Sequence, residues 1–187
     1  MNRIFKSLGI FSLVFLLGTF MLGLSLEMGD IRDVADSATR ARASLHRLTG
    51  IAAGMLVILV DSVAVTYFVG TSRWIREVCD TYGIDQQHVG QSLNLKRSAF
   101  PWAVTNMILA VTIVALGGAA DPAASTRLPV IGGIEWKWWH LTAASAGLLV
   151  IFYGFMRELQ LMLDNQQVIG SVMNEVRRIR REKGLDT

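Results

Sequence analysis

Few residues in this 187-residue chain are equipped for chemistry, and three of them stand in unusual places. Asp61 is the one charge in an apolar run of 23 residues, Leu48–Gly70. His46 precedes that run by two residues, and His140 lies near the start of another. A carboxylate inside a bilayer costs about 2.5–3.5 kcal/mol on insertion scales. Such residues mark proton relays or ion paths, or sit neutral and hydrogen-bonded between helices. Two imidazoles at one depth on neighbouring helices suit another task, the axial ligation of a b-type haem, with Arg47 near a propionate. Other chemistry lacks its parts. The single cysteine, Cys79, makes neither an intramolecular disulfide nor a metal cluster. No G-x-G-x-x-G, Walker A, H-E-x-x-H or C-x-x-C pattern occurs, and the acidic run EMGDIRDVAD lacks EF-hand spacing. His88 falls in a different loop from the other two histidines.

The elements that must position these residues follow from composition. The chain is 52% hydrophobic and 18% charged, against roughly a quarter charged in a soluble domain. The deficit lies in four runs, 8–26, 48–70, 99–120 and 138–156, of 19, 23, 22 and 19 residues. About 20 apolar residues cross a hydrocarbon core about 30 Å thick. The expectation is an all-α integral membrane protein, a single domain built as a four-transmembrane-helix bundle. Arg3 and Lys6 before the first run also describe a signal peptide, but the run is long and no A-x-A site follows, so it reads as a retained anchor. Lys and Arg number 12 in segments 1–7, 71–98 and 157–187, against 6 in 27–47 and 121–137. That bias puts both termini in the cytoplasm of a cell inner membrane. Trp102, Trp136, Trp138 and Trp139 fall where interfacial indoles belong.

Two segments echo one another. LTGIAAGMLVI at 48–58 matches LTAASAGLLVI at 141–151 in seven of eleven positions, 93 residues apart. This suggests two hairpins of like orientation, related by an axis along the membrane normal. At about 100° per residue, Gly50, Gly54 and Asp61 share one helix face, and Ala143, Gly147 and Gly154 share the matching face. Small-xxx-small faces admit close helix contact, so spans two and four are expected to meet along this seam, with Gly154 leaving room for Asp61.

Beyond the spans, Trp74, Ile75, Val78 and Tyr82 continue span two as a helix, which Gly83 ends. A short helix to Leu95 and a fresh start of span three near Pro101 are expected next. The segment 157–187 reads as an amphipathic helix ending in RRIRREK, suited to anionic lipid or a partner subunit. The net charge of +3 is small and does not argue for nucleic acid.

SLHRLTG, residues 44–50, resembles the S-x-x-H-R-x-[ST]-G segment before the first span of the cytochrome-b anchor subunit of succinate dehydrogenase. The likeness covers about eight residues and favours a redox role, since in that family the serine and the arginine, here matched by Arg47, serve a quinone site; span three lacks the histidine that would be the family's haem ligand. It departs at Ala43, where the family has its serine, and the segment here precedes the second span. Three functions are thus in view. The first is a non-catalytic accessory or scaffold subunit of an inner-membrane complex, docking through the seam or the basic helix, or forming a homo-oligomer. The second is an electron-transfer anchor with haem b or quinone at His46, Arg47 and His140. The third is a proton- or ion-conducting element using Asp61.

Overall fold

The computed structural model describes residues 2–27, 37–121 and 130–185, so the acidic run EMGDIRDVAD, apart from its first residue Glu27, lies outside the described residues. Four helices follow in order: α1 (Asn2–Glu27), α2 (Ser37–Tyr82), α3 (Gln87–Ala120) and α4 (Trp136–Glu182). Each is long and apolar enough to span a membrane. At 1.5 Å per residue, α2 and α4 reach about 70 Å, more than twice a hydrocarbon core. Their surplus projects from the end that carries both termini. The other end carries the two histidines.

The turn between α2 and α3 follows from local chemistry. Gly83 takes φ +67°, and the Ile84 N–H donates to the Cys79 carbonyl at 3.0 Å, closing the helix end. The Asp85 carboxylate then accepts the Gln87 N–H at 2.8 Å and starts α3. From there the chain differs from expectation. No break separates a short helix from span three; α3 runs unbroken through Pro101. The proline forfeits only its own bond to the Arg97 carbonyl, and it sits on an exposed face with room for its ring. Likewise 157–182 is no separate helix but the continuation of span four.

The helices pack as a ring, α1–α2–α3–α4, with α2 and α4 also touching across the short diagonal and α1 and α3 apart. One core, with Phe68, Ile151, Phe155 and Met162 wholly buried, fills the spanning region. A second, around Ile75, Cys79, Val89 and Val172, knits the projecting parts of α2, α3 and α4. Large apolar side chains such as Phe11, Met55, Ile108 and Leu149 stay exposed on all four helices. In water such a surface would aggregate, while lipid solvates it.

Candidate functional site

The two histidines meet. His46 and His140 lie on the diagonal helices α2 and α4, with ring centroids 6.2 Å apart and planes at 71°. Each imidazole is held alike by the helix preceding its own. His46 Nδ1 lies 3.2 Å from the Thr19 carbonyl of α1, and His140 Nδ1 lies 3.1 Å from the Ile113 carbonyl of α3. One turn beyond each carbonyl is a glycine that the ring covers. A methyl at Gly23 would lie 2.7 Å from His46 Cε1, and one at Gly117 would lie 3.0 Å from His140 Cε1. The three pairs, Thr19 and Ile113, Gly23 and Gly117, His46 and His140, are each 94 residues apart. Neither glycine signalled itself in sequence, because each matters only for the imidazole that a neighbouring helix brings over it.

Around these rings the described side chains are half-buried or exposed. No described residue is buried beyond Thr19 in α1, before Ala53 in α2, beyond Ala110 in α3 or before Gly147 in α4. Arg47 turns to the end of α3, where its guanidinium donates to the Asp121 carboxylate at 2.6 Å.

The small residues sit deeper, and they do not form the expected seam. Gly54 faces α3, where a methyl would lie 3.0 Å from Val114. Gly147 also faces α3, against the Ile113 side chain, and Gly50 faces Thr19 of α1. Ala143 is half-buried. The correction has a simple cause: a helix face is fixed within its own helix, but the ring order turns those faces toward α3 and α1. Gly54 lies eight residues past His46, about 12 Å deeper.

Gly154 likewise accommodates Asn106 of α3 rather than Asp61; a methyl there would lie 2.5 Å from Asn106 Nδ2. Asn106 Nδ2 in turn donates to Asp61 Oδ1 at 3.1 Å. A second carboxyl completes the group. Glu158 and Asp61 are side-chain neighbours within hydrogen-bonding reach, and Asp61, Asn106 and Glu158 are all 0% exposed. Two carboxylates offer only acceptors to each other. Asp61 Oδ2, Asn106 Oδ1 and both Glu158 oxygens accordingly lack a donor from the protein. Sequence reasoning ended span four at Met156 and left Glu158 in the tail. A signal existed: Glu158 lies four residues past Gly154 and eleven past Gly147, on the same inward face.

Toward the termini a buried hydrogen-bond chain follows. The Tyr67 hydroxyl donates to the Met162 carbonyl at 3.3 Å, and Asn165 Nδ2 donates to the Tyr67 hydroxyl at 3.3 Å and to Thr71 Oγ1 at 2.9 Å. Ser92 donates to Asn165 Oδ1 at 2.9 Å and lies 3.0 Å from Ser72 Oγ. Farther out, Cys79 is wholly buried, and burial, seconded by Asp80 and Asp85, pushes its thiol up from 9.0. His88, also in this projecting part, is remote from the paired histidines. Among the described residues no three His, Cys, Asp or Glu side chains group as a metal site.

Comparison with protein-family models, curated proteins and solved structures finds no match for this chain. The functional reading therefore rests on the geometry above.

Proposed function

We propose that the protein is an electron-transfer subunit of an inner-membrane complex, holding a b-type haem between His46 and His140. The matched pair of imidazoles carries this reading. Two imidazoles bound head-on to one metal, with metal–nitrogen bonds of about 2 Å, hold their ring centroids about 6 Å apart. The observed spacing is 6.2 Å. Metal-bound histidines almost always donate their other ring N–H to a carbonyl or carboxylate. A proton on Nδ1, shared with Thr19 or Ile113, makes Nε2 the lone-pair nitrogen of each ring.

The surroundings suit the group. His46 and His140 would hold it between α2 and α4, at a level where the described side chains of all four helices are half-buried or exposed. Haem iron, when bound, supplies one-electron transfer. This chain's residues orient the imidazoles, fix their tautomer and, through Arg47 and Asp121, tie α2 to α3 beside the site. The common 94-residue spacing supports descent from a duplicated hairpin, with Arg47 accounting for the one-residue difference from the 93-residue match farther along. Lys and Arg bias supports cytoplasmic termini. The basic end of α4, Arg177–Arg181, then suits docking of a partner protein at the cytoplasmic face.

A reduced-minus-oxidised absorption spectrum of the protein, expressed with ample haem and purified in detergent, tests the proposal. The expected result is a b-type band, lost in both His46→Ala and His140→Ala. A colourless protein, or a band that survives removal of either histidine, rejects it.

A further inference from the structure

We propose that Asp61 and Glu158, joined by Asn106, form a proton-holding carboxyl pair that exchanges with the end carrying the termini. Two acids at 0% exposure lie side by side, and among the described residues no lysine or arginine is hydrogen-bonded to either. Asn106, from a third helix, is equally buried and aims its amide into the pair, donating to Asp61 while its Oδ1 stays without a donor. From α1, Ser12 lies 94 residues before Asn106 and is likewise buried with an unpartnered hydroxyl. Among the described residues, the groups facing the pair are Asn106 of α3 and the carboxyls themselves from α2 and α4. Arg157, beside Glu158, turns outward to Gln160 at 2.7 Å. A proton on either carboxyl supplies the missing donor and lowers the buried charge.

A buried polar file runs from beside this pair toward water. Glu158 and Asn165 lie two turns apart on one face of α4, about 10 Å. The Tyr67 hydroxyl stands between them at the Met162 carbonyl. Asn165, Thr71, Ser92 and Ser72 continue the chain, and Ser72 borders a cleft of about 410 Å³ with Arg73, Arg76, Glu77 and Lys96. Three basic side chains against one acid turn away a hydrated metal cation. A proton, which hydroxyl and amide groups can solvate singly, is the cation that this polar file admits. Uptake forms one O–H bond on a carboxylate oxygen and consumes one proton from the cleft, and release reverses it.

Infrared spectroscopy of the full chain in liposomes at neutral pH tests this, because exposed carboxyls are ionised there. The expected spectrum holds a protonated-carboxyl C=O band that shifts promptly in D₂O, is indifferent to sodium, and is lost in Glu158→Gln or Asp61→Asn. In Asn165→Leu the band should persist while its prompt exchange is lost. Circular dichroism and a monodisperse elution profile establish that each variant is folded; Asp61→Asn and Glu158→Gln back each other up if one fails. Absence of the band, its survival in both carboxyl variants, or its removal by sodium overturns the proton site. Unchanged exchange in Asn165→Leu overturns the route.

Discussion

Gly154→Ala offers the sharpest test of the packing at the centre of the bundle. The added methyl would lie 2.5, 2.6 and 2.9 Å from Nδ2, Oδ1 and Cγ of Asn106. All three are below the closest approach of real carbon contacts, so the whole amide has to move. Overpacking of this kind costs about 1–3 kcal/mol. Moving the amide also breaks the 3.1 Å bond to Asp61. Leaving a buried acceptor without its donor costs about 1–3 kcal/mol more. The sum, about 2–6 kcal/mol, exceeds the gain of up to about 1 kcal/mol from replacing a helical glycine by alanine. Gly170, in the same helix, has nothing within 4 Å of an added methyl, so Gly170→Ala should show that gain alone. Reversible unfolding in mixed micelles, titrated with SDS, reads both. A double-mutant cycle then isolates the cause, because Asn106→Ala removes the clashing amide and should abolish most of the Gly154→Ala penalty. Equal stability of Gly154→Ala and Gly170→Ala would refute the reasoning. So would a Gly154→Ala penalty unchanged by Asn106→Ala.

Two further predictions concern the ends of the bundle. Gly23→Ala should displace the His46 ring more than Gly117→Ala displaces His140, because the contacts are 2.7 and 3.0 Å. Haem retained through purification should fall in that order, as read from the b-type band; equal retention in both variants and wild type would show that the glycines do not seat the rings. Cys79, with its thiol pushed up by burial, should resist alkylation in the folded protein at neutral pH. Its linkage runs in one direction: above 9.0 the unfolded chain loses the proton that the folded chain keeps, so stability is full below that pH and declines above it. Unfolding midpoints across that range should fall for wild type and less for Cys79→Ala, and parallel curves would contradict the assignment.

The second core shows why α2, α3 and α4 outrun the membrane. Ile75, Cys79, Val89, Val168, Val172 and Val176 bury against one another in the projecting part. Apolar burial at about 25 cal/mol per Å² stabilises this extension without lipid. The hydrogen-bond chain from Ser72 to Tyr67 lies where this core gives way to the first, to which Tyr67 belongs.

Several features were determined by the sequence alone, because they depend on local sums. Each span follows from the transfer free energy of about 20 successive residues, whatever their neighbours. Gly83 ends α2 because the required left-handed backbone is cheap only for glycine. The depth of Asp61 and the presence of a histidine at the head of spans two and four were countable along the chain. Tertiary structure decided the rest. Periodicity fixes a face relative to its own helix axis, but partners depend on how four helices rotate and slide against each other. Thus Gly54 and Gly147 turned to α3 rather than to each other, and the histidine rings came to be matched at 94 residues rather than 93. Glu158 joined Asp61 because an inward face continues past the last apolar residue of a span. A charge count along one dimension ends the span there, whereas the buried pair exists only where α2, α3 and α4 converge.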